Sequence, residues 1–230
     1  YTTSGIYNTF IGMNAGQSNS TGHRNTGLGF YSLRQATTAT YNTASGAYAL
    51  GNATSGGSNA AFGYKALTSN TTGGYNTASG FKASLNNTTG QYNTSLGYQA
   101  LCSNSVGNGN VAIGIEALRE STCHYQTAVG YQAGYATTTG IYSTSLGYRA
   151  GLCTTTGSCN TSIGHAALSC ITTGSSNIAL GYGAADQLTT QSNTITIGAN
   201  AVSCGSNTTV IGNSSTTCTY ITSPLHACTS

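Results

Sequence analysis

Apolar residues along this chain keep fixed distances from a glycine that itself returns every 17 residues. That glycine stands at Gly12, Gly29, Gly46, Gly63, Gly80, Gly97, Gly114, Gly130, Gly147, Gly164, Gly181, Gly198 and Gly212, with a step of 16 into Gly130 and of 14 into Gly212. A large aliphatic residue precedes it in most copies (Ile11, Leu28, Leu96, Leu146, Leu180), and three before it lies a mostly β-branched position (Thr9, Thr26, Thr94, Val111, Ile178). One after it the residue is often aromatic (Phe30, Tyr64, Tyr98, Tyr148), and three after it almost always Ala (Ala49, Ala100, Ala150). These offsets differ by two, the period at which a β-strand returns to one face, so they predict a strand with this set turned inward. The residue two after the glycine (Lys65, Lys82, Gln99, Glu116, Arg149) is polar and belongs to the opposite, wet face. No longer helical period runs through the chain, and only residues 117–120 leave room for a helical turn.

Thirteen copies of one short unit are the signature of a stacked repeat, one coil per unit. At the spacing of paired strands, about 4.8 Å per coil, they make a rod roughly 60 Å long. Turns such as Asn70-Thr71-Thr72-Gly73-Gly74-Tyr75 link the strands. A second glycine, seven before the first (Gly22, Gly56, Gly73, Gly90), predicts a backbone angle that other residues tolerate poorly. Asparagine four before the main glycine (Asn25, Asn42, Asn59, Asn76, Asn93, Asn110) predicts an amide ladder that holds coil against coil. The fold class is therefore all-β, a parallel β-roll or β-solenoid. Residues 1–192 carry the 17-residue coils, 193–217 shorter-period terminal coils, and 218–230 a C-terminal tail. The chain opens inside the turn Thr2-Thr3-Ser4-Gly5 and reads as a piece of something longer.

Each coil supplies one aliphatic residue, sometimes an aromatic, one Ala and often a Leu (Leu33, Leu67, Leu101). That is thin for a self-sufficient monomer. An intertwined homotrimer with three coils about one axis buries the same residues more completely, and is expected over a monomeric solenoid.

The motif Asn93-Thr94-Ser95-Leu96-Gly97-Tyr98-Gln99-Ala100, with variants Asn110-Val111-Ala112-Ile113-Gly114 and Asn177-Ile178-Ala179-Leu180-Gly181, resembles the head repeats of trimeric autotransporter adhesins. It also resembles the repeat shafts of bacteriophage tail fibres. The similarity covers nearly the whole chain. It implies a left-handed parallel β-roll, wound as a trimer, in an extracellular fibre at a cell surface or on a virion. The stretch from Asn193 to Asn213 resembles tail-fibre segments that precede a self-cleaving C-terminal chaperone domain.

Composition narrows the chemistry further. Charged residues make up only 4% of the chain, and the net charge of +3 comes from scattered bases that read as a solvated face, not a nucleic-acid surface. No apolar run approaches the ~18 residues of a membrane span, so no membrane insertion is expected. Eight cysteines in so polar a chain favour an oxidising, extracellular setting. Cys153, Cys170, Cys204 and Cys218 all lie six after a repeat glycine, where disulfide staples between coils or chains stand beside free thiols as readings. Paired Cys-x-x-Cys spacing is missing and the histidines are dispersed, so no metal or other cofactor is expected. With three carboxylates and no phosphate-binding loop, neither is catalysis.

Two surface features remain. Of the sequons, those in turns (Asn52, Asn70, Asn86, Asn87) are the expected accessible glycosylation sites. A tyrosine five before the glycine (Tyr41, Tyr75, Tyr92, Tyr142) forms a stripe that either packs the turn onto the coil or offers a stacking platform to cell-surface glycans. The functional expectation is a non-catalytic shaft that presents or spaces an adhesive tip. The alternative is a receptor-binding module that meets glycans through turns and tyrosines. Ice binding is weaker, because the threonines are expected at inward or turn positions.

Overall fold

A computed structural model describes residues 4–219. They contain thirteen parallel strands of three residues each, from Thr9–Ile11 to Thr209–Ile211, in one sheet whose strands follow chain order. No helix occurs among the described residues, and residues 117–120 form a turn in which Leu118 is left-handed (φ 49°). The chain is a β-solenoid. Equivalent repeat positions pair rung on rung: Thr77 with Thr94, Thr94 with Val111, and across the shortened steps Val111 with Thr127 and Ile195 with Thr209.

Hydrogen bonding between coils continues well beyond the strands. In the coil of Gly97, Thr94 donates to Asn110 at 2.8 Å and Leu101 to Ala117 at 2.9 Å, while Gly97 and Gln99 donate backwards to Ser79 and Phe81, each at 2.9 Å. Every coil is thus a template for the next around most of its circumference. This is how a chain with so little apolar mass satisfies its buried amides.

The period of two within the strand holds, but its phase is opposite to the expectation. In Thr94–Leu96 the middle residue, Ser95, is buried, and Leu96 is 49% exposed. The same middle position is Ala44, Ala61, Ala78, Ala112, Ala128, Ser162 and Ala179 in other coils, all buried. The aromatics after the glycine (Tyr64, Phe81, Tyr98, Tyr148) are exposed as well, against the inward expectation. The alanines three after the glycine are buried as expected, and with Leu33, Leu50, Leu67, Leu101, Leu118 and Leu168 they form the core. Alternation fails to carry across the glycine because the backbone there leaves β geometry. Gly97 has φ +137°, Gln99 φ 51° and Leu101 φ 52°. Two buried positions five apart, one on each side of the glycine, are the result.

The repeat glycines lie against one another. A Cβ on Gly97 would meet the carbonyl oxygen of Gly114 at 2.4 Å, in addition to the positive φ. The second glycine has a different cause from the one expected. Gly56, Gly73 and Gly90 lie outside the left-handed region, yet a Cβ on each would meet the carbonyl oxygen of the next coil at 2.3, 2.4 and 2.5 Å respectively. Space, not angle, selects glycine there.

The asparagine ladder forms as expected. Asn59 Oδ1 accepts from the backbone N–H of Asn76 at 2.9 Å and from its Nδ2 at 3.1 Å, and the same Nδ2 donates to Gly90 O at 2.8 Å. Each amide therefore serves three partners across two coils. The ladder runs from Asn8 to Gln126 and again from Ser143 to Thr194, with Gln126 and Ser143 as substitute rungs. A second amide ladder joins Asn70, Asn87 and Asn104, linked at 3.0 and 3.1 Å.

Two substitutions separate these constraints. Gly97→Ala is expected to lose roughly 3 kcal/mol or more in chemical unfolding, since both space and φ oppose it. Ser176→Gly, at an exposed left-handed position (φ 59°), should gain about 1 kcal/mol.

Candidate interaction surface

The inverted phase places the large aliphatics on the outer face of the sheet. Ile11, Leu28, Phe62, Leu96, Leu146, Leu180 and Ile211 are exposed there, and Ile113, Val129, Ile163 and Ile197 half-buried. Beside this row runs a second, built of the first strand residue: Thr9, Thr77, Thr94, Thr127 and Thr209 are exposed, and Thr26, Thr43, Thr144 and Thr161 half-buried. The threonines that open the strands thus face outward, which corrects their expected inward placement, whereas Thr196 in mid-strand is buried. Parallel in-register pairing makes the face straight, with a rung about every 4.8 Å. Exposed apolar residues aligned over this length are what marks an interaction surface.

Aromatic ladders flank the sheet. After the glycine, Tyr64, Phe81 and Tyr98 stack at 5.4 and 5.3 Å, and Tyr131, Tyr148, His165 and Tyr182 at 5.1, 4.8 and 4.9 Å. Lys65, Lys82 and Arg149 lie over rings of this series, so the bases serve as cation–π partners within it. Of the tyrosines five before the glycine, Tyr75 and Tyr92 stack at 5.1 Å with an interplanar angle of 8°, and Tyr125 and Tyr142 at 5.3 Å. Tyr41 stands apart from these pairs, with the Arg24 guanidinium 5.3 Å from its ring centre and Arg24 Nη1 donating to its hydroxyl at 2.7 Å. Tyr41, Tyr75, Tyr92 and Tyr142 are all more than half exposed.

The sequons divide. Asn86 is exposed and Asn52 half-buried. Asn70 and Asn87 are buried in the second amide ladder, where both donate to glycine carbonyls (Gly73 and Gly90), which corrects their expected accessibility. Turn composition alone points an Asn to the surface; its place on the inner side of that turn is set by the coil above it.

Two of the three carboxylates are held by one arginine. Arg119 holds both Glu116 and Glu120, at 3.7 and 3.2 Å, and Gln132 donates to Glu116 at 2.8 Å. Cys123 and His124 also diverge: the thiol lies 3.2 Å from Ser121 Oγ, while His124 Nδ1 accepts from the Asn108 N–H. Among the described residues no three His, Cys, Asp or Glu side chains meet where they could hold a metal ion.

The seven described cysteines are free thiols. Cys153 and Cys170 occupy successive coils, as Cys204 and Cys218 do, a rung spacing that suits a disulfide. Burial pushes the thiol pKa of Cys102 and Cys123 up. At Cys153 burial does the same, with the neighbouring Cys170 adding to it.

No protein-family model, curated protein or solved structure matches this chain.

Thiol chemistry should follow this order. With iodoacetamide near neutral pH, the exposed Cys159, Cys170, Cys204 and Cys218 are expected to label first. Cys102 and Cys123 should lag by about tenfold or more, because the neutral thiol is favoured where it is buried. Raising the pH above 9 narrows the gap; mass spectrometry of the labelled peptides reads it.

Proposed function

We propose that this protein is a non-catalytic shaft of an extracellular fibre, at a cell surface or on a virion, in which three chains close their strand faces about one axis. The observation that carries the reading is the outward row of Leu, Ile and Phe next to a core filled mostly with Ala, Ser and Asn. Each strand keeps its small residue inside and turns its large one outward, opposite to what a strand facing water needs, while the leucines after the glycine fill the core. Covering such a half-exposed Leu or Ile contributes about 1 kcal/mol. Repetition along the rod turns that small gain into a continuous interface in which equivalent rungs face each other. The motif's likeness to adhesin heads and tail-fibre shafts supports the same arrangement, and low charge with abundant hydroxyls suits a surface whose task is to extend.

Light scattering on the purified chain, with and without reductant, tests this. A mass of three chains is expected under both conditions, and dissociation only on reduction would make interchain disulfides the staple. The double variant Leu96→Glu, Leu146→Glu, which places charges on the strand face without touching the core, should yield monomers. A wild-type monomer that stays folded would overturn the proposal.

A further inference from the structure

Between Tyr41 and Tyr142 the tyrosine ladder five before the glycine has two interruptions, and they differ. At Gly109, between Tyr92 and Tyr125, the gap is closed: a Cβ on Gly109 would meet Tyr125 Cδ1 at 2.9 Å. At Ser58, between Tyr41 and Tyr75, it is open, as a cavity of about 330 Å³ walled by these two tyrosines. Gly57 and Gly74 keep its floor bare, whereas the equivalent residue is Thr40, Gln91, Asn108 or His124 in neighbouring coils.

The dimensions follow from the coil repeat. Rings one coil apart in this ladder stack at 5.1 Å (Tyr75–Tyr92) and 5.3 Å (Tyr125–Tyr142). Tyr41 and Tyr75 are two coils apart, hence separated by about 10 Å, which leaves one missing rung between them. One flat ring entering there lies about 5 Å from each wall, the separation the ladder itself uses. Both walls are held from behind, Tyr41 by Arg24 and Tyr75 by Tyr92, so binding a ring orders little that was free.

We infer that this notch binds a single neutral hexopyranose residue, sandwiched between Tyr41 and Tyr75. The edges decide the class of ring. Ser58, Thr40, Thr72 and Gln91 surround the space with hydroxyl and amide groups. A pyranose presents apolar C–H faces to the two tyrosines and hydroxyls around its rim to those groups. An aromatic side chain has the faces but an apolar rim, and would make no hydrogen bonds to that lining. No charged side chain lines the notch, which favours a neutral sugar over an acidic one. The notch belongs to the turn side of the coil, and its assignment does not rest on the trimer.

Saturation-transfer NMR on the full chain tests this, using methyl glycosides of glucose, galactose, mannose and N-acetylglucosamine, with p-cresol as the aromatic probe. At least one glycoside is expected to bind with a Kd on the order of 1 mM, as suits a ligand of that size. Ser58→Tyr supplies the missing rung and should weaken binding by about tenfold or more. Ser58 already has φ 59°, and Tyr41 and Tyr75 hold φ 60° at the same position, so this variant keeps the fold. Tyr75→Ala should abolish binding, and Tyr142→Ala should leave it unchanged. Failure of all four glycosides to bind, binding that survives Ser58→Tyr, or p-cresol occupying the notch in their place would each overturn the inference.

Discussion

The contact on which this structure depends is backbone against backbone at the repeat glycines. Where Gly97 meets Gly114 there is no room for a single methyl group, and the same holds for each repeat glycine from Gly12 to Gly181 against the next. Coils that approach so closely pair nearly all of their amides with one another, but they also enclose a narrow bore. Its occupants are correspondingly small: Ala and Ser in the strands, Ala and Leu after the glycine, and asparagines that bind backbone on two coils at once. The larger apolar residues of the strands, Leu96 and its equivalents, are displaced outward by the same constraint. Core composition and surface character thus share one cause.

Much of this was legible in the sequence. The period fixes the register, and the pairing of Val111 with Thr127 across a 16-residue step follows the glycine count directly. The Asn25-to-Asn110 ladder was visible because an identical polar residue at an identical position has only its own copies as neighbours. The phase of the strand was not. Reading Leu96 as inward assumes that alternation continues from Thr94 to Ala100, but Gly97 at φ +137° and Gln99 at φ 51° reset the direction of the side chains. Hydrophobicity misled for the same reason, since it favours the Leu side of the strand over the Ser side. The burial of Asn70 and Asn87 was hidden as well, because residues on the inner and outer sides of one turn have the same composition.

In a periodic molecule the regular positions explain stability, and departures from the period carry what is specific. Ser58 and Gly109 both interrupt the tyrosine stack, yet one gap is open and the other filled. The sequence shows only that the tyrosine is missing. Which gap opens depends on whether a neighbouring ring leans into it, and that is a matter of side-chain placement. The bare floor of Gly57 and Gly74 has a local cause too: two successive coils carry glycine where the other coils carry side chains.

The exported apolar row ties the proposed assembly to the same narrow bore. A solenoid with a wider interior would take Leu96 and Leu146 inside and need no partner. Here each coil is closed by hydrogen bonds and amides, which fix geometry strongly but contribute little net free energy once their competition with water is counted. A further hydrophobic gain, beyond that of the buried Leu and Ala core, is left to the outer face. Folding would then supply the shape of the strand face and association would add to its stability, with each added coil extending both in equal measure. On this reading the length of the rod is set by repeat number alone, and no single coil is indispensable to the trimer although every coil contributes to it.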